Sequence, residues 1–200
     1  MTNLNFNSTD SFAIWNTPSE DLTGKDNDYR QEAFGKSYQP NHFPTNELPD
    51  DLETKLNTVD YVLVGMNPGN AAVNQDKDKL FLNFHGDKKS MDYRLAAAVY
   101  GTKLWGTFMS DLSHIIESDS KNVAITQADV TAFEKHLSEL GVPEDATLIA
   151  MGLPTFHALN EFSSHPVVKI PHYSGSNNGQ TPNRWNADNA REQVLAIVEK

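Results

Sequence analysis

The sequence has no cysteine, which excludes disulfides, thiolate zinc sites, cysteine nucleophiles and cysteine-ligated iron–sulfur clusters. It also lacks the run of about 18 to 20 apolar residues that a membrane span needs, and its first residues do not resemble a secretory signal peptide. Basic residues are scarce, since 16 Lys and Arg stand against 27 Asp and Glu, for a net charge of −11. That sign disfavours a protein held mainly by nucleic-acid phosphates. We expect a cytoplasmic protein that has no membrane partner.

Known signatures of metal and cofactor binding are also missing. The seven histidines form no His-x-x-x-His pair, and no acidic cluster has the spacing of metal ligands. Gly65 and Gly69 lie four residues apart, but neither the P-loop Lys-Ser/Thr nor the G-x-G-x-x-G order accompanies them. We expect neither a metal nor a cofactor.

The length and the charge distribution suggest one folded domain with a distinct N-terminal segment. Two hundred residues with 38% hydrophobic content can bury a core. Residues 1–60 carry 11 acids and 4 bases and are rich in turn-forming residues, yet they contain many aromatic residues. Such a segment is too aromatic for a solvated tail. We expect residues 1–58 to form an irregular, acidic extension packed on an α/β domain of residues 59–200.

From about residue 50, apolar runs of strand length alternate with helical patterns. The predicted strands are residues 59–65, 104–112, 146–152 and 167–170, and the predicted helices are residues 50–56, 90–100, 126–140, 154–162 and 188–199. Strands that are apolar on both faces and alternate with helices are typical of parallel sheets covered on both sides. The pattern predicts an α/β three-layer sandwich with a central, mainly parallel four-stranded sheet.

Ligands of such sheets bind beyond the carboxyl ends of the strands. The first strand is followed by the motif Gly65-Met66-Asn67-Pro68-Gly69, the second ends at Asp111, and the fourth leads into His172-Tyr173-Ser174. Taken singly, each has an ordinary interpretation: a strand-to-helix turn, a helix cap or solvated acid, and a structural histidine.

In their order, however, these motifs resemble the uracil-DNA glycosylase superfamily over about residues 59–198, with Gly152 in the strand-turn before the last motif. The Gly-x-Asn-Pro-Gly sequence is most similar to the mismatch-specific branch, and the cysteine-bearing branches do not apply. The resemblance implies that the fold is uracil-DNA glycosylase-like and that Asn67 positions the attacking water. It implies that His172 stabilises the departing base, and that Asp111 stands where the family has a base-recognising Asn.

The same resemblance indicates further site residues. A flipped base needs an aromatic face, and Phe81 and Phe84 lie in the loop where the family has its stacking Phe, although core packing would also explain both. Met66 and Ser174 are expected to contact the base as well. Contacts to the nucleic-acid backbone or phosphates are expected at Gly65, Pro68, Gly69, Gly175 and Arg184.

Two departures from the family affect the expected substrate. Residues 174–180 are polar and Gly-rich where family members carry an apolar residue that wedges into DNA. An ionised Asp111 offers only acceptors, so we expect hypoxanthine, cytosine-like or adenine-like edges to be tolerated, unless burial keeps the carboxyl protonated.

Three hypotheses for the function follow. The chain is a DNA glycosylase that cleaves the N-glycosidic bond of a deaminated, damaged or mismatched base in DNA. Alternatively, it binds or hydrolyses a small nucleoside-like ligand, or it is a catalytically silent interaction module whose contact surface is the aromatic N-terminal segment. The residues indicate no oligomeric state.

Overall fold

The structure is a computed structural model and describes residues 4–199. Its strands are β1 (Ser11–Phe12), β2 (Tyr61–Gly65), β3 (Phe108–Asp111), β4 (Thr147–Met151) and β5 (Val167–Ile170). Its α-helices are α1 (Asn27–Ser37), α2 (Leu52–Asn57), α3 (Asp92–Val99), α4 (Gln127–Glu139), α5 (Leu153–Phe162) and α6 (Ala187–Val198). Short 3₁₀ turns lie between them, among them Asn70–Asn74 and Gly175–Asn177.

The strands form one sheet in the order β1-β3-β2-β4-β5. The four longer strands are parallel, while β1 pairs antiparallel with β3 through Phe12 and Phe108. The predicted α/β architecture with a mainly parallel sheet is confirmed, but the expected four strands are five. A two-residue strand is too short to show the alternation of apolar and polar residues by which strands are recognised in a sequence.

Helices cover both faces of the sheet because successive strand side chains point to opposite sides. Leu63 points into the core shared with α1, α3 and α6, whereas Val62 and Val64 point into the core shared with α2, α4 and α5. Both faces of β2 are therefore buried, as expected of a central parallel strand.

Caps and turns explain where several helices and strands begin and end. Thr126 and Asp129 form the predicted capping box of α4. The strand predicted at 104–112 is shorter, because residues 101–106 form turns and Gly106 has a φ of +77°. The helix predicted to begin at Ser90 begins at Asp92, after a 3₁₀ turn and a left-handed Met91.

The N-terminal segment, which the sequence predicts to be irregular, supplies both β1 and α1. Asp26 caps α1 by accepting a hydrogen bond from the backbone N–H of Tyr29. Trp15 and Phe34 are only 3% and 1% exposed and belong to the core that packs on α3 and α6. This segment is thus built into the layered core.

Candidate functional site

A cavity of about 920 Å³ opens at the carboxyl ends of the four parallel strands. The register places the last residues of neighbouring strands side by side, Gly65 beside Asp111 and Met151 beside Ile170. The residues that follow these strands therefore converge on one cavity. Ten of the sequence-predicted site residues line it: Gly65, Met66, Asn67, Pro68, Gly69, Phe84, Asp111, His172, Ser174 and Arg184.

Asn67 lies in the turn after β2, and its amide group is held by backbone carbonyls. Nδ2 donates to the carbonyl oxygens of Pro68, Ile115 and Glu117 at 3.0, 3.0 and 2.7 Å. Only an NH₂ group can face three carbonyl oxygens, which fixes the orientation of the amide. The amide ties the loop after β3 to this turn and leaves Oδ1 as a hydrogen-bond acceptor.

Asp111, at the end of β3, is 4% exposed, and its Oδ2 accepts a hydrogen bond of 2.9 Å from Asn83 Nδ2. Burial, with a smaller contribution from the nearby Asp92 carboxyl, raises the pKa of Asp111 to about 7. The neighbouring Gly65 makes this position possible, because a Cβ there would lie 2.0 Å from Asp111 Oδ1. The carboxyl of Asp111 is therefore buried and partly protonated near neutral pH, and is not the fully ionised acceptor.

The two phenylalanines of the following loop have different surroundings. The ring of Phe84 lies over Gly65 and lines the cavity. Phe81 instead packs edge-on against Phe12 at 5.3 Å and Phe6 at 5.0 Å in the core on the other face of the sheet. Phe81 is therefore a core residue, and Phe84 is the one placed to stack on a ligand. Both residues have a backbone φ that is rare for a bulky side chain, +67° at Phe81 and +64° at Phe84, so this strain does not distinguish them.

His172, after β5, presents a neutral imidazole to the cavity. Its Nδ1 accepts a hydrogen bond of 3.1 Å from the backbone N–H of Ser174, so the ring hydrogen lies on Nε2. Burial lowers the pKa of His172 to about 4. Nε2 has no hydrogen-bond partner within residues 4–199 and is not enclosed. It can therefore donate to a ligand without carrying a positive charge.

Gly152 allows this placement of the imidazole. It has a φ of +95° and caps α5, and a Cβ at this position would lie 3.2 Å from the Cβ of His172. Gly175, predicted as a backbone contact, does not line the cavity; a Cβ there would lie 3.1 Å from the Met91 sulfur.

The polar residues that line the cavity without having been predicted from the sequence include Asn83, Asp92 and Tyr173, which lie close to the predicted site residues Asp111 and His172. Asp92 accepts hydrogen bonds from the hydroxyls of Tyr38, at 2.8 Å, and Tyr173. Burial raises the pKa of Asp92 to about 7. The Tyr173 ring stacks on His172 with 4.6 Å between centroids, so this network also supports the imidazole. The adjacency of Tyr173 to His172 was the one available sequence signal.

The mouth of the cavity carries charges of both signs. Lys89 and Arg184 line it together with Asp87 and Glu117. Arg184 reaches the side chain of Asn177 at 3.4 Å and so belongs to the polar lip of residues 174–184. Two isoleucines of the loop that Asn67 binds, Ile115 and Ile116, are 54% and 44% exposed, and neither lines the cavity.

Within residues 4–199, no group of three or more His, Asp or Glu side chains has an arrangement that could hold a metal ion. The helices of the same range include none that is long and apolar enough to cross a membrane.

Comparison with protein-family models, with curated proteins and with solved structures finds no match for this chain.

Proposed function

We propose that the chain is a uracil-DNA glycosylase-like hydrolase that cleaves the N-glycosidic bond of a deaminated or mismatched base turned into the cavity. The observation that carries the proposal is the convergence of Asn67, Asp111 and His172, from three different strand ends, on one cavity. Its volume of about 920 Å³ lies within the range of small-molecule sites, roughly 300 to 1,000 Å³.

The chemistry needs stabilisation of two developing charges. As the C1′–N bond breaks, its electron pair leaves with the base while the sugar becomes oxocarbenium-like. A donor aimed at a base carbonyl then stabilises the transition state more than the ground state. The neutral Nε2–H of His172 supplies such a donor.

Water completes the reaction by bonding to C1′, and the proton that it loses passes to the departing base anion, directly or through the solvent. The backbone carbonyls bind Nδ2 of Asn67 and fix its amide, which leaves Oδ1 free to accept a hydrogen bond from that water. An amide is no strong base, so its contribution is orientation, which suffices for a cationic sugar. Phe84 offers the aromatic face for the base.

The apolar pair Ile115 and Ile116 favours duplex DNA as the source of the base. Glycosylase reactions need the base to leave the stack, and exposed apolar side chains can enter the space between base steps. The polar lip offers no such side chain, whereas this pair belongs to the loop that Asn67 binds through the carbonyl oxygen of Ile115.

A second function, hydrolysis or binding of a free nucleoside, is favoured by the net charge of −11 and by the polar lip of residues 174–184. Burial of Trp15 and Phe34 in the core counts against the interaction-module hypothesis, whereas Tyr29 is 36% exposed.

The test is the formation of abasic sites by purified protein at low salt, on single-stranded and duplex oligonucleotides that carry uracil, hypoxanthine or mismatched thymine. Release of base from free nucleosides is measured in parallel. We expect cleavage that His172→Ala abolishes and that falls steeply with added salt. Salt-insensitive release from nucleosides alone would instead establish the second function. Absence of release from every substrate, with the protein folded, would overturn hydrolysis of both DNA and free nucleosides.

A further inference from the structure

Asn83 and Asp111 form a joined pair on the floor of the cavity. The two hydrogens of Asn83 Nδ2 go to the backbone oxygen of Thr9 at 2.7 Å and to Asp111 Oδ2 at 2.9 Å. One oxygen of each side chain remains, Oδ1 in both cases. Neither Oδ1 is among the enclosed, unpaired polar atoms of the described residues, and both side chains line the cavity. These two oxygens are therefore what the pair offers to a ligand.

A single proton decides the hydrogen-bonding pattern of the pair. Because Oδ2 of Asp111 already accepts from Asn83, a proton on the carboxyl sits on Oδ1. With that proton, the pair presents one donor beside one acceptor; without it, the pair presents two acceptors.

The surroundings favour the protonated state. The ionisable groups that face Asp111 are the Asp92 carboxyl from α3 and the Tyr173 hydroxyl after β5, neither of them a cation. The ion pairs of residues 4–199 include none at Asp111. Burial opposes the ionised form as well, and the pKa of about 7 agrees with this arrangement.

We propose that Asp111 and Asn83 act together as a recognition pair that binds the edge of a six-membered heterocycle carrying an acceptor next to an N–H donor, with the proton retained on Asp111. The inference rests on the proposed function only in that a heterocyclic base enters the cavity. Asn83 is thereby a specificity-determining residue, and the ionised carboxyl repels the carbonyl or ring nitrogen that it would otherwise bind.

Calorimetric titration with 1-methyluracil and 1-methylcytosine tests the pair, because both present adjacent acceptor and donor groups in opposite order. At least one of these two bases should bind about 30-fold more weakly at pH 8.5 than at pH 6.0, because the protonated fraction of a carboxyl with a pKa near 7 falls by about that factor. Repeating the titration at pH 8.5 in buffers of different ionisation enthalpy should show uptake of nearly one proton. 1,3-Dimethyluracil, which has no N–H, should not bind.

The matched variant is Asp111→Asn, whose amide can accept from Asn83 through oxygen and present a permanent N–H donor to the cavity. We expect it to bind the same base with an affinity that stays within about twofold between pH 6.0 and 8.5, since it has no proton to lose. Wild-type binding that does not change with pH, binding of 1,3-dimethyluracil, or loss of binding in a folded Asp111→Asn protein would each overturn the inference, as would failure of every base to bind. Proton-linked binding without cleavage of any substrate would leave this inference standing while overturning the proposed hydrolase.

Discussion

Replacing Asn67 by Asp should destabilise the protein more than replacing it by Ala. In the superfamily that the motifs resemble, either Asn or Asp occupies this position, so the exchange would ordinarily be considered mild. Here Nδ2 lies 2.7 to 3.0 Å from three carbonyl oxygens. The exchange is not neutral at such a place, because a carboxylate oxygen would face those same carbonyls without a hydrogen to share.

The magnitude follows from the bonds lost. The two hydrogens of Nδ2 are shared among the three carbonyls and amount to about two full hydrogen bonds. Each contributes about 0.5 to 1.5 kcal/mol net, so Asn67→Ala should lower the free energy of unfolding by about 1 to 3 kcal/mol. Asn67→Asp adds repulsion between the carboxylate and the carbonyls, for a total of about 2 to 4 kcal/mol at pH 8. Backbone bonds from Ser113 to Met66 and from Glu117 to Pro68 still hold the loop in part.

Urea unfolding at pH 8 measures the two losses, and amide hydrogen exchange at Glu117 reports on the loop itself. The gap between the two variants should narrow below pH 4, where the introduced carboxyl is protonated and can donate. An Asn67→Asp protein as stable as the Ala variant at pH 8, or more stable, would refute the reasoning.

Three further predictions follow from the packing of the site. Gly152→Ala should lower the free energy of unfolding by about 1 to 2 kcal/mol and should also impair base release, because its Cβ displaces His172. Gly101→Ala is the control: its φ of +70° is equally unfavourable for alanine, but a Cβ there meets nothing within 4 Å, so only stability should fall. Equal activity of the two variants would contradict this. Gly65→Ala should abolish base binding in the calorimetric titration, because its Cβ would lie 2.0 Å from a carboxylate oxygen; unchanged affinity would mean that the cavity floor accepts a methyl group here and that the prediction is wrong. The free energy of unfolding should fall as pH rises from about 4 to 7, because the buried carboxyls of Asp92 and Asp111 keep protons in the folded state that the unfolded chain has released. Asp92→Asn should make this decline smaller, as measured by urea unfolding at pH 5 and pH 8. An equal decline in the variant and the wild type would refute the prediction.

The apolar runs of β2 and β4, together with the caps of the later helices, made the layered architecture predictable. Helix α1 was not, because its sequence has no apolar periodicity and buries only Ala33, Phe34 and Gly35. Its helical state depends on the Asp26 cap and on packing against α3 and α6. Local pattern cannot reveal a helix that tertiary contacts stabilise.

The residues of the site likewise divide into those that the sequence pattern could place and those that depend on tertiary contacts. Residues that directly follow strands, such as Asn67 and His172, could be placed from the sequence because strand ends converge in a parallel sheet. Phe81 and Phe84 could not be distinguished, since their roles depend on which face of the sheet each ring reaches. Asn83 and Asp92 lie away from any strand end, and their importance arises from burial and from partners distant in the chain.

The floor of the cavity is bonded to residues that are translated long before it, at positions 9 and 10. Asn83 is held by the backbone of Thr9, and Ser110 donates to Asp10, 100 residues earlier. During synthesis the N-terminal segment must remain without its partners until β3 has been translated, since contacts so distant in sequence close late. Its aromatic side chains are exposed for that interval, so nascent chains stalled before residue 111 should be the species that chaperones bind.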